Sequence, residues 1–550
     1  MKKKRKKNHK IKTTPTVNIE TIEKQHTFEY VVSNLIAVLA FIILGFLAVV
    51  SILQTSIIDP ENYSTEIILY QADNVILNLA VFILLGAVIF LTRKSFDFFS
   101  KINMKFMEIG LVTFSLLLGF IWVCSVNSTP AADSYNIFET ATEAVKGDYS
   151  SLINGSDFYN KDYYGGYSYY NYYPFQLGFV FISEIIYRIF GTESSMPVQL
   201  INVICVSLSY LGIAKITKLI FKSRSIEFFA IIMLAGCFQP ILFCTFAYGN
   251  IIGMCCAIWA SLFLIKYFQT ENYKKLIPCA VLLVVATLAK YNNMIYLVAF
   301  GIVLLVHTII KKKWQSIAFA LTLCIATVGA SNLVIMSYEA RANVELNDGV
   351  SQILYLDMGL NESYMAPGWY NGIALSTYKN NNLNSEAAEA QAKADLDSRL
   401  DIMGNDLSYT AEFFSKKFIS QWNEPTFESI WVSKVKLHNE NGLTNAVYNG
   451  GLGKFLESYF NIYMQLIYVL FAIGLVLLIA KKKANIETIL LPLVVMGGFG
   501  YHLLFEGKSQ YIMTYIILLI PVCAFGLSQL YNFNLKNIKD FFCKLKSKSK

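Results

Sequence analysis

Asp133 stands directly after the polar segment Val126-Asn127-Ser128-Thr129-Pro130-Ala131-Ala132, which ends an apolar run from Ile109 to Val126. That run is long enough to cross a bilayer. Downstream, Tyr135, Phe138, Ala141 and Val145 recur near helical spacing. A carboxylate fixed at the membrane surface between a transmembrane helix and an interfacial one is placed to act as a general base on a lipid-borne substrate. The same position also suits a solvated loop aspartate or an N-cap for the helix that follows. Glu139, Glu143 and Asp148 add acidity just beyond it.

Three further clusters gather polar groups at expected membrane boundaries. From Asp162 to Gln176 the chain reads DYYGGYSYYNYYPFQ, with Tyr172 and Tyr173 preceding Pro174. Stacked aromatics suit sugar faces or an isoprenoid chain, and tyrosine is equally ordinary in an interfacial belt. Lys290, in Leu288-Ala289-Lys290-Tyr291-Asn292-Asn293, falls at an outer helix end, against the positive-inside tendency. It either snorkels to outer head groups or binds an anion such as a lipid phosphate. The last outward turn carries His502, Glu506, Lys508, Gln510 and Tyr511. Glu506 and Lys508 form an ion pair there, or Lys508 contacts phosphate while Glu506 orients it. His502 suits packing as well as catalysis, and His307 and His438 carry weaker signals.

The elements that position these residues follow from composition. The chain has 550 residues, 55% hydrophobic and 15% charged, where a soluble protein carries about a quarter charged residues. Apolar runs of about 20 residues recur throughout. They predict an all-α polytopic membrane protein with about twelve transmembrane helices, near 31–53, 75–92, 107–126, 197–216, 226–245, 250–268, 276–290, 294–310, 316–336, 460–480, 486–505 and 510–530. Interfacial helices are expected in the first large outer loop, 127–196, and a small extracellular domain over 337–459. The run from Pro174 to Phe190 contains Glu184 and Arg188 and reads as an interfacial helix. With it excluded from the spans, the clusters at Arg93/Lys94, Lys215 to Arg224, Lys274/Lys275, Lys311 to Lys313 and Lys481 to Lys483 share one side with both termini. Basic tails at 1–30 and 531–550 then read as cytoplasmic anchors of a cell-membrane protein, contacting anionic lipid rather than nucleic acid. The basic start, followed by polar residues to about Thr27, lacks the pattern of a cleavable signal. The transmembrane module would run over 31–336 and resume over 460–530. Within 337–459, EAAEAQAKADLDSRLDIM (Glu386 to Met403) predicts a solvated helix and Asn380 to Asn384 a loop.

Nine of the ten cysteines lie in apolar runs, and Cys543 lies in the basic tail. The large polar loops hold none, so neither disulfides nor zinc motifs are indicated. There is no P-loop, dinucleotide fingerprint or internal repeat.

In order and sidedness these features resemble the C-type polytopic glycosyltransferases, the group that includes protein O-mannosyltransferases and bacterial aminoarabinose transferases of lipid A. The resemblance covers roughly Phe106 to Leu530. It is carried by Asp133, by Tyr172-Tyr173-Pro174-Phe175, by Leu288-Ala289-Lys290, and by Glu506-Gly507-Lys508-Ser509-Gln510-Tyr511. The last is similar to the Glu-x-Lys-Ser-Arg-Tyr pattern of Gram-positive members, with Gln510 in place of arginine. Where such enzymes often have two adjacent acids, this chain has Asp133-Ser134, which leaves a divalent cation requirement open; no metal ligands are assigned. The resemblance implies an inverting hexosyltransferase that uses a polyprenyl-phosphate sugar at the outer leaflet. Asp133 would be the base, Lys290 and Lys508 would stabilise the leaving phosphate, and Arg188 would be a third cation. Glu506, His502, Gln510 and Tyr511 would support them. Tyr172, Tyr173, Trp369, Tyr370 and Trp422 would contact sugar or acceptor, the acceptor being a cell-wall polymer or a protein.

Two other classes remain. A lipid-linked oligosaccharide flippase would place polar or helix-breaking residues near mid-membrane, where Gly249-Asn250 and Gln239-Pro240 are the best candidates. A polysaccharide polymerase would share the large outer loop.

Overall fold

Lipid offers no partner to a backbone amide, so each charge-free apolar run closes its hydrogen bonds within itself as a helix. The computed structural model describes residues 19–92, 101–157, 160–435 and 437–532. The lysines at the N-terminus, the Arg93/Lys94 cluster and the C-terminal tail with Cys543 lie outside the described residues. Helix α1 (Ile19–Leu53) leads into a hairpin of β1 (Gln54–Ile58) and β2 (Ile68–Ala72). Then come α2 (Val75–Thr92), α3 (Met104–Val126), α4 (Asp133–Lys146), α5 (Leu177–Phe190), α6 (Met196–Phe221), α7 (Arg224–Gly236) and the single turn α8 (Gln239–Leu242). Next are α9 (Asn250–Thr270), α10 (Leu276–Ala289), α11 (Met294–Lys311) and α12 (Trp314–Ala342). The segment 343–450 carries α13 (Gln352–Leu360), α14 (Ile373–Asn380), α15 (Ser385–Asn405), α16 (Leu407–Trp422), α17 (Trp431–Val435) and α18 (Gly442–Tyr448). The chain closes with α19 (Gly451–Ala480), α20 (Ile486–Leu504) and α21 (Ser509–Tyr531).

The molecule is an all-α polytopic membrane protein. Ten of the described helices are long and apolar enough to cross a membrane, or eleven spans if α7 and α8 count as one broken span. The difference from twelve lies in two places. The run at 226–245 bends by 43° where Pro240 opens a new turn, and α10 stops after 14 residues at Ala289. Helix α5, also 14 residues, is not among the ten.

Helix ends follow local chemistry. Asn127 ends α3 in the left-handed conformation that asparagine tolerates, its N–H bonded to Val123 O. Asn485 opens α20 with a capping box completed by Thr488. Asn384, from the Asn-rich loop, accepts from Ala387 N to start α15. Ala388, Ala392, Leu396, Arg399 and Met403 then form the buried stripe of α15, at the spacing of an amphipathic helix.

One apolar core fills the helix bundle, and a second lies outside it around Tyr164, Tyr169, Tyr170, Tyr172, Tyr338 and Tyr378. The tyrosine run thus packs mainly on itself, edge to face, for example Tyr169 on Tyr170 at 5.1 Å between ring centroids. The β hairpin is fixed to the segment 343–450. Ser56 N donates to Asn423 O at 3.0 Å and Ile68 N to Met365 O at 3.0 Å. Trp431 Nε1 donates to Tyr63 O at 2.6 Å. The segments 127–196 and 343–450 meet where Val350 N donates to Tyr172 O at 2.9 Å.

Candidate functional site

A cavity of about 930 Å³ opens where these segments meet the helix ends, and Glu66, Asp133, Lys290, Glu506 and Lys508 all line it. Asp133 is the first residue of α4; Ala132 is the N-cap, at φ +47°, and no side chain caps the helix. The Asp133 carboxylate is therefore not used as an N-cap. Ser134 Oγ fixes the preceding turn instead, donating to Ala131 O at 2.7 Å. A carboxylate in the first helical turn is favoured by the helix dipole. Tyr248 approaches it, with the phenol oxygen 3.5 Å from Oδ2, and Gln176 Nε2 donates to that phenol oxygen at 2.5 Å. Burial, followed by the facing Asp133, holds the Tyr248 phenol well above its ordinary range.

Lys290 is presented by a break in the helix. Helix α10 ends at Ala289, Lys290 is extended, and Asn293 Nδ2 donates to Ala286 O at 2.9 Å and Lys290 O at 3.0 Å. The Lys290 ammonium lies 3.9 Å from the centroid of the Tyr248 ring and 5.5 Å from that of Tyr511, a cation–π arrangement. Among the described residues it has no ion-pair or hydrogen-bond partner. Burial, opposed by Asp133 and Glu506, brings it down to about 8.

Backbone contact makes this break possible. A Cβ on Gly249 would lie 1.6 Å from Ala289 O, and one on Gly178 would lie 2.6 Å from Leu288 O. Gly249 and Gly178 are thus read as packing contacts that seat the Lys290 turn. Gly249→Ala is expected to force the turn away, costing about 1–3 kcal/mol through overpacking. The expected readouts are a lowered melting temperature and reduced transfer activity; a fully stable and active variant would contradict this account of the turn.

The turn between α20 and α21 is held from the segment 343–450. Gly507 N donates to Gly368 O at 2.8 Å, Lys417 Nζ to Phe505 O at 2.7 Å, and Gln421 Nε2 to His502 O at 3.1 Å. Burial pushes the Glu506 carboxyl up, with Lys508 pulling the other way. His502 is buried, its Nδ1 3.2 Å from Glu506 O and its ring stacked on Tyr511. Gln510 N donates to Glu428 Oε1 at 3.2 Å. His502, Gln510 and Tyr511 all line the cavity.

Among the described residues Lys508 makes no ion pair with Glu506. Its ammonium pairs with Glu66, at 2.6 Å and 2.8 Å from the two carboxylate oxygens, and lies 3.8 Å from Glu428 Oε2. Glu66, Glu428, Tyr248 and Gln176 are site residues that the sequence reading did not single out. The available signal for Glu66 was its place in the loop between the first two spans.

The remaining candidates are distributed as follows. Tyr173 and Tyr370 line the cavity, as does Tyr163, which shares a short hydrogen bond with Tyr370. Arg188 lies outside the lining, paired with Glu184 at 2.6 Å, which also binds Arg341 at 3.0 Å and the Tyr338 hydroxyl at 2.5 Å. Tyr172 is fully buried, its hydroxyl donating to Tyr164 O at 2.9 Å. Trp369 is buried, its Nε1 donating to Ser420 Oγ at 2.9 Å. Trp422 is buried in the bundle core, and Tyr468 donates to its carbonyl at 2.7 Å. These three pack rather than line. Among the described residues no three His, Cys, Asp or Glu side chains are grouped to hold a metal ion. Gln239 and Pro240 are buried as well, Gln239 Nε2 donating to Pro425 O at 3.2 Å.

Residues 176–334 match the family model described as dolichyl-phosphate-mannose-protein mannosyltransferase. That segment includes Gln176, Tyr248 and Lys290 and excludes Asp133 and the Glu506–Tyr511 turn. No curated protein matches the chain. Among solved structures, the oligosaccharyltransferase AglB from Archaeoglobus fulgidus, in complex with an inhibitory peptide and a dolichol-phosphate, aligns with 12% identity and a TM-score of 0.39. The alignment covers 81% of this chain and 54% of that one, so the chain spans about half the archaeal protein's length. ArnT from Cupriavidus metallidurans bound to undecaprenyl phosphate aligns with 13% identity and a TM-score of 0.32, over 76% of this chain and 77% of that one. Its apo form aligns with 12% identity and a TM-score of 0.33, over 76% of each chain. Over residues 176–334, then, the chain is similar to the dolichyl-phosphate-mannose-protein mannosyltransferases.

Proposed function

We propose that this protein transfers a sugar from a polyprenyl-phosphate carrier to an acceptor hydroxyl at the outer face of the cell membrane, with inversion at the anomeric carbon. The observation that carries this reading is the pairing, in one cavity, of a half-buried carboxylate with a half-buried ammonium that has no ion-pair partner among the described residues. Asp133 takes the acceptor proton as the acceptor oxygen attacks the anomeric carbon. The bond from that carbon to the phosphate oxygen breaks, and the polyprenyl phosphate leaves with its electron pair. Lys290 supplies the charge that stabilises the leaving phosphate, in a water-poor setting that strengthens the contact. Tyr163, Tyr173 and Tyr370 give the cavity an aromatic wall suited to a sugar face.

The purified full-length protein, given a polyprenyl-phosphate-linked sugar and an acceptor extract, is expected to release polyprenyl phosphate as the sugar appears on the acceptor. Movement of the intact lipid-linked sugar between leaflets without release would overturn the reading in favour of transport. Comparing wall-polymer and lipid-linked sugar composition with and without the protein would then identify the acceptor as wall polymer or protein.

A further inference from the structure

The hairpin between the first two spans lies outside the segment matched by the family model, yet it sends a carboxylate into the cavity. Glu66 sits at φ +56°, a left-handed backbone that a residue with a Cβ adopts only under constraint. The constraint is visible on both sides of it. Asp59 N donates to Ile67 O at 2.7 Å, and Ile68 N reaches across to Met365 O at 3.0 Å. Both carboxylate oxygens of Glu66 then contact the Lys508 ammonium, at 2.6 Å and 2.8 Å, and both side chains are at least 86% buried, with relative exposures of 10% and 14%. The cavity's two lysines are thus in opposite states. Lys508 is paired, whereas Lys290 lies beside the Tyr248 and Tyr511 rings with no ion pair among the described residues.

Resting on the lipid-phosphate reading above, we propose that Glu66 is a positioning residue that keeps Lys508 in a closed ion pair, so that the lipid phosphate is gripped by Lys290 alone and is let go after transfer. Two free ammonium groups in one water-poor cavity would hold a phosphate product too tightly for turnover. Glu428 is no substitute for Glu66. Its nearest oxygen is 3.8 Å from Lys508, and burial pushes its carboxyl up, toward the protonated form at neutral pH.

The test measures binding of undecaprenyl phosphate to the purified full chain in detergent, with inorganic phosphate and undecaprenol as comparison ligands. Glu66→Gln is expected to bind undecaprenyl phosphate about tenfold tighter than the unmodified protein, one freed charged contact's worth. Inorganic phosphate should gain as well and undecaprenol should not, and kcat and KM for the lipid donor should fall together. Lys508→Gln is expected to leave undecaprenyl phosphate affinity unchanged, and the Glu66→Gln/Lys508→Gln double variant should return to the original affinity. Unchanged or weaker binding in Glu66→Gln overturns the proposal. So does tighter undecaprenol binding, or a tenfold loss of affinity in Lys508→Gln, and the last applies even if Glu66→Gln does not fold. Failure of the unmodified protein to bind undecaprenyl phosphate at all would instead overturn the lipid-phosphate reading itself.

Discussion

Asp133→Asn is expected to slow sugar transfer by about a thousandfold, the loss that follows removal of a positioned general base. Donor affinity and melting temperature should be close to those of the unmodified protein. The amide is nearly isosteric, and the carboxylate's one hydrogen bond among the described residues, from the Tyr248 phenol at 3.5 Å, is long. Of the other carboxylates that line the cavity, Glu506 is the one that also faces Lys290. It is half-buried, desolvation pushes its carboxyl up, and Tyr511 hydrogen-bonds to it. A raised acid already engaged by a neighbour is poorly suited to take a proton from an incoming hydroxyl at neutral pH. Asp133 sits at the start of a helix, partly exposed, where an acceptor can reach it. The comparison to make is single-turnover transfer by the variant and the unmodified protein at saturating lipid donor. Equal rates would remove Asp133 from the chemistry.

The parts of this site that were legible in the sequence are those where a residue type contradicts its membrane setting. Lys290 stands out because a lysine at an outer helix end runs against the positive-inside tendency. Asp133 stands out because it closes the polar segment after a span. Glu66 gives no such signal. It is an ordinary acid in a short loop, and its meaning comes from an ion pair to a lysine 442 positions away. The hairpin that carries it was missed for the same reason, since two strands of five residues between two spans leave little periodicity to read.

The tyrosine run illustrates a different gap. Sequence offers a belt or a sugar platform, whereas the chain winds through short 3-10 turns that bring Tyr164, Tyr169, Tyr170 and Tyr172 together as an outer core. Only part of the run, Tyr163, Tyr164 and Tyr173, faces the cavity. Gly249 reads in sequence as a mid-membrane irregularity that a transporter would use. In the fold it is the point where two backbones come close enough to seat the Lys290 turn. In both cases the composition was informative, and the partner surface that gives it meaning is supplied by tertiary packing.

Lys290→Ala is expected to weaken binding of a polyprenyl phosphate and to slow transfer by about a hundredfold, as loss of one charged donor at a developing anion does. Its pH dependence separates a phosphate contact from a structural role. With its ammonium brought down to about 8, Lys290 is charged at neutral pH and loses its proton as pH rises through that value. The phosphate needs the charged form, so affinity in the unmodified protein is expected to be flat below this point. Above it, affinity should fall by about tenfold per pH unit, until the higher pKa of the bound complex is reached. The Lys290→Ala variant should bind weakly with no such decline. Lys508, held above its ordinary range by its ion pair with Glu66 against burial, stays charged throughout this window and cannot produce the slope. A decline that persists in Lys290→Ala, or donor affinity equal to that of the unmodified protein, would assign the lysine to packing against Tyr248 and Tyr511 and leave the phosphate to another group.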